Sequence, residues 1–262
     1  MDRLIACVTL AAACLRAADG LPRVDLHAHI HDESGPHGSL KPAEAAAVAK
    51  RLGVHLGVLG EGGCGGEIRD DRTLTEFLDS LAGQPVWRGL QVYGFEWRRC
   101  LSAESLKKLD YIAADALIFP QPDGKDVRLW LPGVQFPDTE AFMDQYVEHN
   151  VRVLSQRIQI WANPTFLPES LQARYDALWT PARMDRVIAA AVKSGIAIEI
   201  NARYHIPSAA FIRRAKAAGA KFSFGTNQHV KGIGEIDWCL QQARECGLTS
   251  KDVYVPARLL RE

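Results

Sequence analysis

An α/β barrel of seven βα units is the fold class this sequence predicts, and three observations predict it. Short apolar runs alternate with helical patterns from Arg23 to Gly247, which is how repeated βα units read. The chain has 262 residues, a length that suits one large domain, since such barrels commonly run past about 200 residues as a single unit. Apolar residues make up 47%, enough for a sizeable core.

The strands are expected at Val24–Ala28, His55–Leu59, Leu90–Phe95, Tyr111–Ala116, Ile158–Ala162, Ala197–Ile200 and Lys221–Gly225. The helices between them are marked at their ends. Ser39 precedes Leu40-Lys41-Pro42, and the run Ala43 to Leu52 is closed by Gly53, a glycine stop. Thr180-Pro181 is an N-cap followed by proline at the first helical position, with Gly195 at the far end. Pro207-Ser208 opens a helix closed by Gly219, and Ile233 to Cys246 closes at Gly247. Phe119 to Asp138 is richer in Pro, Gly and Asp and reads as a long loop.

The first residues read as a leader. Arg3 precedes an apolar run from Leu4 to Leu15, too short to span a bilayer as a helix. Small residues at Ala17 and Ala18 suit cleavage. The expectation is a signal peptide over residues 1–18, a barrel domain over 19–262, and a secreted or periplasmic protein. Lipid anchoring at Cys14, within Ala12-Ala13-Cys14, is the alternative. No transmembrane segment is expected. Lys plus Arg equals Asp plus Glu at 31 each, so general nucleic-acid or membrane-surface binding is not expected, while a local anion pocket stays open.

Cys64, Cys100, Cys239 and Cys246 would remain after cleavage. Cys239 and Cys246 are about 10 Å apart by helical rise and cannot pair on one helix. No Cys-x-x-Cys occurs, which argues against a structural zinc site. Small core residues or free thiols are expected at all four.

Barrel active sites lie at the C-terminal ends of the strands. Nearly every predicted strand delivers a metal-capable or hydrogen-bonding group there: His27 and His29, Glu61, Glu96, Asp115, Asn163, Glu199 with Asn201, and Asn227 with His229. His27 and His29 are two apart on a strand and share a face, with Asp25 one pleat earlier. Two imidazoles on one face can begin a chelate for zinc, manganese or iron; structural histidines are the plain alternative.

The stretch Val24-Asp25-Leu26-His27-Ala28-His29, with the helix ending Lys50-Arg51-Leu52-Gly53-Val54, resembles the opening of the PHP (polymerase and histidinol phosphatase) superfamily. Ile198-Glu199-Ile200-Asn201 is similar to that family's Glu-x-Asn strand, Gly94-Phe95-Glu96 to its Gly-x-Glu strand, and Gly219 through His229 to its last strand. The resemblance covers about residues 23–247. It implies a distorted TIM-like (β/α)7 barrel, one to three metal ions and hydrolysis of phosphate esters. It matches His27 and His29 to the first metal pair, Glu96 to the bridging carboxylate and His229 to the terminal histidine.

Four departures follow. The family's Thr-Asp-His after strand two reads Gly60-Glu61-Gly62; the strand-four histidine falls at Leu117; the strand-five histidine falls at Asn163; the last motif's aspartate is Asn227. His31 or His37 fits poorly as a replacement loop histidine. A reduced site remains, with His27, His29, Glu96 and Asn227 around one divalent ion (manganese, zinc or iron). His229, Glu61 and Asp115 are the acid–base candidates. Arg98 and Arg203 are candidates to hold an anionic small-molecule substrate, with Asn163 and Asn201 lining the site. The expected activity is metal-dependent hydrolysis, phosphoesterase-like. The alternative is an inactive barrel that binds a small polar or sugar-like ligand through its asparagines.

Trp97, Trp130 and Trp161 are expected in the core rather than as stacking walls. The glycines of Gly60 to Gly66 are not followed by Gly-Lys-Ser/Thr, so they are no phosphate-binding Walker loop. His55 and His149 read as structural.

Overall fold

The computed structural model describes residues 20–30, 40–121, 124–229, 231–258 and 260. The expected leader with Cys7 and Cys14, and the histidines His31 and His37, lie outside the described residues. Seven parallel strands form one sheet: β1 (Val24–His29), β2 (His55–Gly62), β3 (Val86–Val92), β4 (Tyr111–Ala114), β7 (Ile160–Trp161), β8 (Ala197–Asn201) and β9 (Phe222–Gly225), hydrogen-bonded in that order. The sheet nearly closes on itself. Ala28 bridges Gln228 in parallel fashion, His29 N donates to Gln228 O at 2.8 Å, and Asn227 N donates to His27 O at 2.6 Å. The result is the seven-stranded barrel that the alternation of elements predicts.

Helices cover the outside. The main ones are α1 (Pro42–Arg51), α2 (Asp71–Ser80), α4 (Thr139–Val153), α7 (Pro181–Ser194), α8 (Ala209–Ala217) and α9 (Asp237–Glu245). Shorter turns are α3 (Ala103–Leu106), α5 (Glu169–Gln172) and α6 (Tyr175–Leu178). Their ends follow local chemistry. The Thr180 hydroxyl accepts from Arg183 N, Pro181 sits at the first helical position, and Gly195 ends α7 in the left-handed region at φ 66°. Ala45, Ala46 and Ala49 are the buried residues of α1, so that helix packs through short side chains.

Strand ends differ from the sequence expectation: β2 runs on to Gly62, while β4 stops at Ala114 and β7 keeps only Ile160–Trp161. Strand β3 starts four residues earlier and ends at Val92, because Gly94 takes φ 68° and turns the chain. The long loop carries a hairpin of β5 (Ile118–Pro120) and β6 (Asp126–Arg128).

The barrel floor is filled by Tyr111. Its hydroxyl crosses from β4 to donate to Leu26 O on β1 at 2.9 Å. Gly57 and Gly89 make room: a Cβ on Gly57 would collide with the Tyr111 hydroxyl, and one on Gly89 would stand 2.5 Å from the ring. Below this floor the C-terminal segment forms a strap. Phe222 N donates to Asp252 O and Tyr254 N to Phe222 O, at 2.8 and 2.7 Å. Further on, Arg258 reaches Asp110 through Nε (2.6 Å) and NH2 (2.8 Å), and Trp87 Nε1 donates to Arg258 O at 2.6 Å. The strap thereby ties the start of β9 to the starts of β3 and β4.

The cysteine expectation is corrected in part. Cys64 and Cys100 form a disulfide with Cα atoms 5.5 Å apart, within the usual range. They lie 36 residues apart, but on the loops after the neighbouring strands β2 and β3. Cys239 and Cys246 are free and buried. Among the described residues no helix is long and apolar enough to cross a membrane.

Two stability predictions follow from these ties. Partial burial alone would raise the Asp110 pKa, but hydrogen bonds from Arg258 and Arg88 outweigh it and hold the carboxyl below its ordinary 3.8. A depressed carboxylate contributes stability above its unfolded pKa and loses it as pH falls through the folded value. Asp110→Asn should therefore cost about 2 kcal/mol at neutral pH. The gap to the parent should shrink as pH falls below the ordinary 3.8 and through the lower folded value; denaturant titrations showing an unchanged gap would refute the assignment. Cys100→Ser should cost roughly 2–4 kcal/mol by loop-closure entropy, read as a lower melting temperature that reductant reproduces in the parent.

Candidate functional site

Closure of the sheet puts the C-terminal strand ends on one rim. Strand β1 brings His27 and His29 there, both buried. Asp25 does not join them as simple alternation suggests. The register of β1 shifts between Asp25 and Ala28. The Asp25 carboxylate accepts from His27 N (3.1 Å), Thr226 N (3.0 Å), Thr226 Oγ1 (2.6 Å) and Gly234 N (2.9 Å). Its acceptor positions are filled, and it binds β1 to the chain leaving β9. Burial still raises its pKa.

The centre of the rim is a buried pair. His27 Nδ1 and Glu199 Oε1 are 2.7 Å apart, with side chains 2% and 1% exposed. Burial alone would keep the His27 ring neutral, yet the Glu199 charge and hydrogen bond outweigh it and push the pKa above 6.5. Burial would likewise raise Glu199, but His27 and hydrogen bonds from Asn201 and Asn163 bring it below 4.5. Each partner thus shifts the other toward its charged form. Gly225 is required beside it, because a Cβ there would run into the Glu199 carboxylate and stand 2.5 Å from His27 Cβ.

Asparagines complete the network. Glu199 Oε2 accepts from Asn163 N (2.6 Å) and Asn201 Nδ2 (3.0 Å). Asn163 Oδ1 accepts from Asn201 Nδ2 (3.0 Å) and Asn227 Nδ2 (2.8 Å). Asn163 Nδ2 then donates to Asp115 Oδ2 at 2.9 Å. Asp115 also accepts from Gln91 Nε2 (2.7 Å) and Leu117 N (3.0 Å), and its pKa is raised by burial. Asn163 and Asn227 both take φ 48°. Asparagine is among the few residues besides glycine that visit this region readily.

A second group sits nearer the opening. The Glu61 carboxylate is 31% exposed and 4.0 Å from His29 Nδ1. Burial and the charges of Glu67 and Asp115 raise its pKa. The His229 ring stacks on His29 with centroids 4.7 Å apart and planes 13° apart. Tyr93, which sequence reasoning passed over, lies close enough to Glu61 and Asp115 that burial and these charges push its hydroxyl well above 10.

The structure does not bring every expected residue here. The turn at Gly94 carries Glu96 away from the strand end. Its carboxylate is 67% exposed and pairs with Arg99 at 2.6 Å. Arg98 is exposed and lies over the buried Trp97, 5.1 Å from the ring centroid. Arg203 does reach the rim, where NH1 donates to Asn227 O at 3.0 Å. Trp97 and Trp161 are core residues, whereas Trp130 is 40% exposed beneath Arg128. His149 packs against Phe95 and Phe119 and reaches Ile118 O at 3.1 Å, a structural role. Glu199 and Gln91 carry more of the site than the sequence reading gave them. The available signal was a lone polar residue on the inward pleat of an apolar strand.

The residues fit a metal on one side only. His27 Nε2 is buried with no hydrogen-bond partner among the described residues, while Nδ1 is held by a carboxylate. That is the outer-partner arrangement of metal-binding histidines. On the other side Asn163 Oδ1 has both acceptor positions occupied. Among the described residues no three His, Cys, Asp or Glu side chains converge as a ligand cage.

The chain matches no protein-family model and no curated protein sequence. Among solved structures it is similar to a citrate synthase variant, at 12% identity and TM-score 0.37, over 85% of this chain and 96% of that one. It is also similar to a D-hydantoinase, at 14% identity and TM-score 0.33, over 87% of this chain and 53% of that one, about half its length. Likeness at this level carries no argument about chemistry.

Glu199→Gln should test the buried pair directly. It keeps the shape and removes the charge, so it should destabilise the metal-free chain by about 3–5 kcal/mol in urea. A loss under about 1 kcal/mol, the scale of an exposed ion pair, would mean the pair is not buried in solution.

Proposed function

We propose that this chain is a PHP-type barrel hydrolase with a reduced metal site, one divalent ion being held by His27 and His29. The carrying observation is the buried His27 Nε2, without a hydrogen-bond partner among the described residues, beside a carboxylate-bound Nδ1. A cation in place of a ring proton would preserve the positive charge that Glu199 faces. Manganese, zinc and iron all suit imidazole with oxygen ligands. When bound, the ion would supply Lewis acidity toward a phosphoester or related bond.

The chain's own residues supply the rest. Glu199 orients the His27 ring. Asn163 and Asn201 anchor that carboxylate, and Asp115 fixes Asn163 in turn. Glu61 is the better placed proton carrier, because its carboxyl is partly open and its pKa is raised, as a general acid requires. Asp115 is a positioning residue, with its oxygens occupied by three donors. His229, stacked on His29, is the second candidate for proton transfer. The Cys64–Cys100 disulfide supports an oxidising compartment and hence export.

The saturated asparagine network favours a second reading, a barrel that keeps its shape and binds a small polar ligand without catalysis. Elemental analysis of the mature chain, purified without a metal-binding tag, separates the two. The hydrolase reading expects stoichiometric metal in the parent and none in His27→Ala/His29→Ala. Glu199→Gln should weaken metal affinity about 10–100-fold. Absence of metal after supplementation, with no turnover of a phosphoester panel, leaves the binding reading.

A further inference from the structure

We infer that a side pocket behind the rim takes a small organic anion, with the anionic group on Arg203 and the carbon body against the aromatic wall. The pocket lies between the loop after β7 and the loop after β8, with a cavity volume of about 390 Å³, inside the range of small-molecule sites. Its lining includes Phe166, Leu167, Tyr175, Arg203, Tyr204 and Ser208.

Three features give it this chemistry. Arg203 is exposed and spends only NH1, on Asn227 O; among the described residues no carboxylate pairs with it. The rest of its fork is open to a carboxylate or phosphate. Ser208 caps the nine-residue helix α8, so an N-terminal dipole faces the same space. Phe166 and Tyr204 meet edge to face with centroids 4.8 Å apart, and Arg203 lies over Tyr204 at 5.6 Å. A flat apolar body fits such a wall better than a bare ion does.

The pocket shares a wall with the buried network. Tyr204 N donates to Asn201 Oδ1 at 3.0 Å, and Arg203 holds Asn227. The inference deepens the hydrolase reading by naming a substrate class, and as a proposal about that site it rests on it. Its test is made independent of metal.

The full mature chain, stripped with EDTA, is titrated by calorimetry with phenyl phosphate, benzoate, inorganic phosphate and benzyl alcohol. At least one of the two aromatic anions should bind with Kd below about 1 mM. Inorganic phosphate and benzyl alcohol should bind at least tenfold more weakly. Arg203→Gln, which also gives up the bond to Asn227 O, should weaken the organic anion at least tenfold while the variant still melts in one cooperative transition. The proposal is overturned if neither aromatic anion binds, if the neutral alcohol binds as well as they do, if inorganic phosphate alone matches them, or if Arg203→Gln changes nothing. Preference between phenyl phosphate and benzoate identifies the anionic group. A metal-free result in elemental analysis, alongside Arg203-dependent binding, would defeat the hydrolase reading and leave the pocket standing.

Discussion

An imidazole and a carboxylate buried against each other at the mouth of a nearly closed sheet set the terms for everything around them. Two charges in so dry a place cost more to desolvate than their attraction returns, unless every remaining lone pair is matched. Glu199 meets that demand on one side, since its second oxygen takes a backbone and an amide N–H. The need then propagates. Asn163 must hold Glu199 and be held by Asn201, Asn227 and Asp115, so a single ion pair draws in the ends of β4, β7, β8 and β9. Position 225 must be glycine for the same reason.

The backbone adapts to this demand as well as the side chains. Asn163 and Asn227 turn the chain through the left-handed region two residues past the ends of their strands. Such strain costs on the order of 1 kcal/mol or more per residue and persists where the surroundings over-determine it. Here one residue type meets both requirements, since asparagine tolerates the turn and brings an amide that both donates and accepts. The positions where the PHP resemblance expects a histidine and an aspartate are therefore occupied by residues suited to a hydrogen-bonded knot.

Much of the barrel was legible in the sequence because its signals are local. Apolar runs bounded by glycine, a Thr-Pro helix start and a polar residue on an inward pleat each act within a few positions. What was not legible depends on distance or on one φ angle. Gly94 shifts a strand end and so removes Glu96 from the rim, a choice that alternation alone cannot reveal. Cys64 and Cys100 become neighbours only because β2 and β3 pair in register. Tyr111 can cross the floor only because Gly57 and Gly89 lie opposite, on strands 54 and 22 residues away from it in sequence order. The strap through Arg258 has no local signature at all.

The two halves of the mouth consequently differ in kind. On the β7 to β9 side, amides answer one another, and the acceptor positions of Asn163 Oδ1 are used up. On the β1 and β2 side, an imidazole nitrogen remains buried without a hydrogen-bond partner among the described residues, and a carboxylate with a raised pKa stands partly open beside a pair of stacked rings. A buried polar atom left unsatisfied costs about 1–3 kcal/mol, which a protein retains most readily where something outside the polypeptide completes it. The saturated half is accounted for by stability alone. The unsaturated half, with the unmatched nitrogen of His27, is not.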